Sequence, residues 1–227
     1  RVLVGFPRTF EQRPKNALAR WLPQPRRVEW LGTPVRADIA ALAEPAARLS
    51  GRKGPLRLLV VGGSLGAKTL NELVVASLAA LEAGARPEVV HQSGEKNYQE
   101  LVAAYRAANV QATVLPFIDD MADRLAWCDL MLCRSGAITV AELAAAGVAS
   151  VLVPFPHAVD DHQTANARFL TTVGAAFLLP QEEMTPEAVS QIRHYTRGQL
   201  LQMAECARAV AKPDAAAEVA RVCEEAC

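Results

Sequence analysis

Between residues 56 and 179 one arrangement recurs: a short, uninterrupted apolar run, a turn of small or polar residues, then a helix-length stretch. Strands are expected at 56–61, 87–91, 111–115, 130–133, 150–153 and 176–179, with helices at 66–84, 96–108, 119–126, 137–146 and 162–173. The runs are continuous in Leu and Val instead of alternating apolar with polar, the pattern of strands covered on both faces. Alternation of such strands with helices specifies a doubly wound parallel α/β sheet. Sheets of this kind bind ligands beyond the carboxyl ends of their strands, so the loops there are where chemistry is sought.

The flanks are less regular. Residues 2–6 read as a strand, and 7–27 as a proline-rich basic connector with at most one helical turn near 17–21. A second short strand at 28–31 ends in Gly32-Thr33-Pro34, where Pro34 suits a first helical turn. Residues 50–55 form a linker, and the main domain starts near Leu56. From Pro186 the chain is helical and Ala-rich, and Pro213-Asp214 restarts a last helix. Because the chain opens on Arg1 and runs straight into a strand that needs neighbours, a piece of a longer protein is expected.

Composition narrows the function classes. The formal net charge of zero gives no global field toward nucleic acid, and none is expected as a partner. Basic residues nevertheless crowd the first quarter, either as a solvated face or as attraction to anionic lipid or a phosphorylated ligand. Five cysteines without a Cys-x-x-Cys pair suggest neither a disulfide framework nor a zinc ribbon, and point to a reducing cytoplasm. No apolar run approaches the roughly 18 residues of a membrane span, so a soluble or peripheral chain is expected.

Four loops carry candidate chemistry. Gly62-Gly63-Ser64-Leu65-Gly66-Ala67 follows the first strand of the main domain; its glycines permit a close backbone approach, and Ser64 can cap a helix or meet a phosphate or sugar oxygen. Arg134-Ser135-Gly136-Ala137-Ile138-Thr139-Val140-Ala141-Glu142 opens a helix whose unpaired amides and dipole favour a phosphate. Glu142, one turn beyond Thr139, would be repelled by that phosphate unless it accepted hydrogen bonds from hydroxyls, as a ribose diol supplies. The plain alternative has Ser135 as a cap and Glu142 as a solvated helix residue. The loop from Pro154-Phe155-Pro156-His157 to His162-Gln163-Thr164-Ala165-Asn166 gathers neutral donors and acceptors suited to sugar hydroxyls and an acetamido group. Its two histidines lack a patterned third ligand, so no metal is assigned. Phe117 and Ile118 can flank a flat base or simply belong to the core, and His91-Gln92-Ser93-Gly94 can line a cleft or turn the chain.

Taken in order, Val-Val-Gly-Gly-Ser-x-Gly-Ala, His-Gln-Ser-Gly, Phe-Ile-Asp-Asp-Met, Cys-Arg-Ser-Gly-Ala-x-Thr-Val-x-Glu-Leu and the Pro-Phe-Pro-His to His-Gln-x-x-Asn-Ala loop resemble the MurG family. The match runs through nearly the whole chain, and Gly32 to Arg36 resembles that family's interdomain junction. The resemblance implies the two-domain glycosyltransferase B fold, with a Rossmann-like carboxyl-terminal domain and a remnant of the amino-terminal domain. Residues 1–35 would end the acceptor domain, 36–211 would form the UDP-sugar domain, and 212–227 would be a carboxyl-terminal helix packing back.

The activity implied is inverting transfer of N-acetylglucosamine from UDP-N-acetylglucosamine to the C4 hydroxyl of undecaprenyl-diphosphate-linked muramyl-pentapeptide, lipid I to lipid II, in peptidoglycan synthesis. By the same resemblance Ser64, the turn at Gly62, Gly63 and Gly66, and the helix start at Ala137, Ile138 and Thr139 face the diphosphate and sugar. Ile118 reads uracil, Glu142 holds the ribose, His162 and Gln163 contact N-acetylglucosamine, and Arg36 lies nearby as a cation, with Arg134 close. The family often has Gln-Gln where this chain has His162-Gln163. A catalytic base and acceptor loop are expected in the amino-terminal half, together with most of the membrane-docking patch. No cofactor and no catalytic metal are expected, since helix-end dipoles can stabilise the leaving diphosphate. The implied setting is peripheral, on the cytoplasmic face of the bacterial inner membrane, with other cell-wall synthesis proteins as partners. Alternative readings are a nucleotide-sugar-binding module inactive without its acceptor domain, and a related lipid glycosyltransferase or UDP-N-acetylglucosamine epimerase.

Overall fold

The computed structural model describes residues 2–7, 27–63, 67–156 and 161–225. The turn expected near 17–21, and Ser64, Gly66 and His157, lie outside them. Strands β1 (Val2–Val4) and β2 (Val28–Trp30) pair in parallel as a small separate sheet. Two short helices follow, α1 (Ala37–Ala40) and α2 (Pro45–Leu49). Pro34 does not start a helix as its position suggested: Arg36 is the N-cap of α1, and the proline at a first helical position is Pro45. The residue preceding a proline is pushed toward extended backbone, which keeps the 31–36 segment open.

The main domain then alternates as the apolar runs require. Its elements are β3 (Arg57–Val61), α3 (Lys68–Ala79), β4 (Glu88–Gln92), α4 (Tyr98–Ala107), β5 (Thr113–Leu115) and α5 (Met121–Trp127). The second half comprises β6 (Leu130–Cys133), α6 (Ala137–Ala146), β7 (Ser150–Leu152), α7 (His162–Thr171) and β8 (Ala176–Leu178). Helices α8 (Pro186–Ser190), α9 (Arg197–Ala209) and α10 (Ala215–Glu224) complete the chain, and Asp214 is the N-cap of α10.

All six strands of the large sheet run parallel, in the order β5-β4-β3-β6-β7-β8. The chain moves outward from β3 in one direction, then returns to β3's other side at β6. That reversal opens a crevice between the carboxyl ends of β3 and β6. Successive residues of β3 divide between two apolar layers: Leu58 and Val60 join side chains of α3, α4, α8 and α9, while Leu59 and Val61 join α1, α5, α6 and α7. Burial on both faces explains why these strands carry no polar alternation.

Several early basic residues turn out to be internal clamps. Arg48 donates to the carbonyls of Ala43, Leu125, Ala146 and Gly147, satisfying the carboxyl ends of α5 and α6. Arg52 donates to the carbonyls of Ala126, Trp127 and Cys128 and to Asp129 Oδ1 at 2.7 Å. Arg197 of α9 reaches Asp129 Oδ2 at 3.1 Å and also holds the carbonyls of Arg52, Gly54 and Pro55. The Asp129 carboxylate has 0% side-chain exposure and accepts a further bond from the Arg57 backbone N–H. It therefore ties the 50–55 linker, the starts of β3 and β6, and α9 into one unit.

A second buried polar cluster lies behind β4. His91 Nδ1 meets the Tyr105 hydroxyl at 2.8 Å, and Nε2 meets Asn71 Oδ1 at 3.1 Å. Asn71 Nδ2 donates to the Ser93 carbonyl, so its oxygen faces His91 and Nε2 carries the proton. Burial lowers the His91 pKa from 6.5 to about 3. Because the unfolded chain takes up this proton below about pH 6.5 and the folded chain does not, folding stability falls as pH drops. The decline is about 1.4 kcal/mol per pH unit between roughly pH 6 and pH 3. Thermal melting from pH 7 to pH 4 is expected to show a steeper decline for the natural chain than for His91→Gln, which keeps a neutral polar group; equal slopes would refute the assignment.

The small sheet rests on the large domain through aromatic contacts. Phe6 and Trp30 pack on Phe169 of α7 with ring centroids 5.1 and 6.0 Å apart, and Lys212 Nζ lies 4.4 Å from the Trp30 ring centroid. Gly32, at φ +90°, passes against Lys212, where a Cβ would come within 2.5 Å of the lysine Cβ. Only glycine fits that crossing without displacing the segment before α10.

Candidate functional site

The two phosphate-competent turns identified in the sequence emerge on either side of the crevice. Val61, the last residue of β3, is registered with Cys133 of β6 and with Gln92 of β4. Beyond Val61 come Gly62 and Gly63; beyond Cys133 come Arg134, Ser135 and Gly136. Gly63 adopts φ +93°, and among the described residues beyond its chain neighbours no atom lies within 4 Å of where a Cβ would stand. Its carbonyl accepts a 3.0 Å bond from Gln92 Nε2.

Helix α6 starts without a side-chain cap. Gly136 is its N-cap, at φ −61° and ψ 147°, and among the described residues no side-chain cap bond closes the first turn. Ser135 is therefore not the cap: its residue is fully buried, its Oγ has no partner among the described residues, and its carbonyl accepts from Asn166 Nδ2 at 3.1 Å. The amides of Ala137, Ile138 and Thr139 make up the uncapped end, a position favouring an anion. Ile138 is 64% exposed at this end, so the surface beside it is unoccupied by protein.

Glu142 lies one turn further along α6 with 18% side-chain exposure. Burial raises its pKa, partly offset by Arg36, whose Nε is 4.0 Å from Glu142 Oε1; Asp38 raises it further. Arg36 also lies 3.7 Å from Asp38 Oδ1, and its exposed guanidinium is shared between the two acids. Arg36 and Glu142 are thus neighbours, and Glu142 is a partly desolvated acceptor, not a solvated helix residue.

The base-side loop follows β5. Phe117 is 48% exposed and Ile118 only 3%. The Ile118 side chain belongs to the core with Leu125 and Cys133, which leaves its backbone, and the ring of Phe117, as the surfaces available to a ligand. On the opposite side, Phe155 follows β7 and its backbone N–H donates to Gln163 Oε1 at 2.9 Å. Asp161 precedes α7 at φ +53°, a left-handed conformation uncommon outside glycine and asparagine, and delivers His162 exposed at the first helical position. Gln163 thus holds the loop from α7, while His162 faces solvent at its start.

Arg134, expected as a nearby cation, has its guanidinium engaged by the protein itself. It donates to the carbonyls of Val153 and Pro154 and to Gln181 Oε1, and its guanidinium carbon lies 5.5 Å from the Phe155 ring centroid. Burial lowers its pKa. It braces the loop after β7, a role decided by residues 19 to 47 positions away. Gln92 and Asn166, named in the sequence only as members of their motifs, are positioning contacts: a buried amide at a strand end on the Gly63 carbonyl, and an amide one helical turn beyond Gln163 on the Ser135 carbonyl. Among the described residues no group of three or more His, Cys, Asp or Glu is arranged to hold a metal, and no helix is long and apolar enough to cross a membrane.

This arrangement has close counterparts. The glycosyltransferase family 28 C-terminal domain matches residues 57–219. A relative from Dechloromonas aromatica (strain RCB), named UDP-N-acetylglucosamine--N-acetylmuramyl-(pentapeptide) pyrophosphoryl-undecaprenol N-acetylglucosamine transferase, is 59% identical over 99% of this chain and 60% of its own length. A protein of the same name from Bordetella petrii is 53% identical over 100% of this chain and 59% of its own length. The chain spans about three fifths of these curated relatives. The crystal structure of Acinetobacter baumannii MurG superposes with a TM-score of 0.79 at 41% identity, covering 89% of this chain and 57% of that one. The calicheamicin glycosyltransferase CalG4 shares the fold alone, at 20% identity, TM-score 0.56, and 97% and 51% coverage. The six-stranded parallel sheet is thus the carboxyl-terminal half of a glycosyltransferase B fold, and the chain belongs to glycosyltransferase family 28.

Proposed function

We propose that this chain is the donor-binding part of a transferase that moves N-acetylglucosamine from UDP-N-acetylglucosamine to the C4 hydroxyl of an undecaprenyl-diphosphate-linked muramyl-pentapeptide. The observation that carries the reading is the partly buried Glu142, one turn beyond an uncapped helix end that faces an open glycine turn across the crevice. In this reading residues 1–35 end the acceptor domain, 36–211 form the donor domain and 212–227 pack back toward the acceptor side. Arg36 lies beside Glu142, with Ser64 and Gly66 continuing the turn that begins at Gly62 and Gly63. The enzyme works at the cytoplasmic face of the inner membrane as a peripheral protein.

The diphosphate sits between the glycine turn and the amides of Ala137, Ile138 and Thr139. Glu142 accepts from the ribose hydroxyls, uracil lies by Phe117 and the Ile118 backbone, and the sugar reaches His162 and Gln163. The acceptor oxygen attacks the anomeric carbon from the side opposite UDP, its proton passes to a base on the acceptor half, and the anomeric carbon–oxygen bond to UDP breaks. Preorganised amides at the start of α6 receive the charge that develops on the diphosphate.

Calorimetric titration of the chain is expected to show UDP and UDP-N-acetylglucosamine binding in preference to ADP and UDP-glucose. No preference for the uracil nucleotide would sink the donor-site reading. Transfer to a lipid I analogue is expected only after a separately produced amino-terminal half is added. Transfer by the chain alone would show that its own residues supply the base.

A further inference from the structure

Gln92 ends β4 directly beside Val61, the last residue before the glycine turn, and is 3% exposed. A primary amide buried at that depth costs free energy unless it is hydrogen-bonded. Its Nε2 makes one such bond, to the Gly63 carbonyl at 3.0 Å. The strand end that carries Gln92 is itself fixed: the backbone N–H and hydroxyl of Ser93 donate to the Leu115 carbonyl, and the Ser93 carbonyl accepts from Asn71 and Asn97. Gln92 is therefore a rigid arm reaching across to a mobile type of backbone, since glycine has a wide choice of conformations and loses the most freedom when ordered.

The direction of that bond matters. The planar peptide that carries the Gly63 carbonyl turns as a unit. The bond holds the Gly63 carbonyl toward β4, on the side of β3 opposite to β6 and the helix that follows it. Released from Gln92, the same peptide can rotate and present its oxygen, which would repel a phosphate. We propose that Gln92 is a positioning residue for the donor diphosphate: its buried amide locks the Gly63 carbonyl toward β4, so that this oxygen does not face the start of α6. The assignment rests on the donor-site reading above and adds to it a side chain that never touches the ligand.

The test uses the 227-residue chain with Gln92→Leu, which removes the donor, and Gln92→Glu, which keeps the shape but replaces the amide donor with a carboxylate. UDP and uridine are titrated into each and melting temperatures recorded. Both variants are expected to bind UDP about tenfold more weakly, to bind uridine as the natural chain does, and to melt cooperatively. Unchanged UDP affinity in both variants overturns the proposal. So does a parallel fall for UDP and uridine, or a lost melting transition, each of which marks a general structural role. If the natural chain binds no UDP, the donor-site reading fails first and this inference falls with it.

Discussion

Asp129→Ala is expected to destabilise the folded chain by about 3 to 5 kcal/mol, because it strips the shared counter-charge from two partly buried arginines. Arg52 keeps its bonds to the carbonyls at the end of α5, but its Asp129 contact at 2.7 Å is lost; Arg197 loses its own at 3.1 Å; and the Arg57 N–H loses its acceptor. For a chain of this length that energy corresponds to a melting temperature lower by roughly 6 to 20 °C. The site lies at the opposite end of β6, beyond Cys133, so UDP affinity measured below the transition is expected to stay within about twofold of the natural value. A melting temperature within a degree of the natural chain would show that the arginines rearrange without cost.

Glu142→Ala is expected to weaken UDP binding roughly ten- to hundredfold, the range for removing charge-assisted hydrogen bonds worth about 1.5 to 3 kcal/mol. Calorimetry with a diphosphate lacking both ribose hydroxyls supplies the control, since natural chain and variant should bind that ligand alike. Stability should change little, because the carboxylate is partly desolvated and, among the described residues, has only Arg36 at 4.0 Å to offset that cost. Equal loss for both ligands would place Glu142 in the architecture of α6 and not against the ribose.

The local features of the candidate site were legible in the chain. The glycine turn, the helix start at Ala137 and Glu142 were recognisable because they depend on neighbours within a few residues: conformational freedom, an uncapped first turn, one helical repeat. Where the reading failed, distant partners decided. The sequence could not show that Arg134 is held by Gln181 and by the carbonyls after β7. Ser135 had the composition of a cap, but the helix begins one residue later and Asn166 holds its carbonyl. Arg48 and Arg52 read as part of a basic surface and instead close helix ends some 75 to 99 positions away.

The sequence alone determined that this chain forms a covered parallel sheet and where its ligand-competent turns fall. Unbroken apolar strands and small-residue helix starts are local properties, set by burial and backbone freedom within ten or so residues. Only the tertiary structure decided that β3 lies between β4 and β6, pairing Leu58 with Leu130 and Val61 with Cys133 so that the turns after them flank one crevice. Strand order follows from which helices share each face of the sheet, and every apolar strand here offers nearly the same surface. The buried arms that fix the site, Gln92 on Gly63 and Asn166 on Ser135, are likewise products of that order, because an amide finds its acceptor only after the strands and helices carrying them have been set side by side.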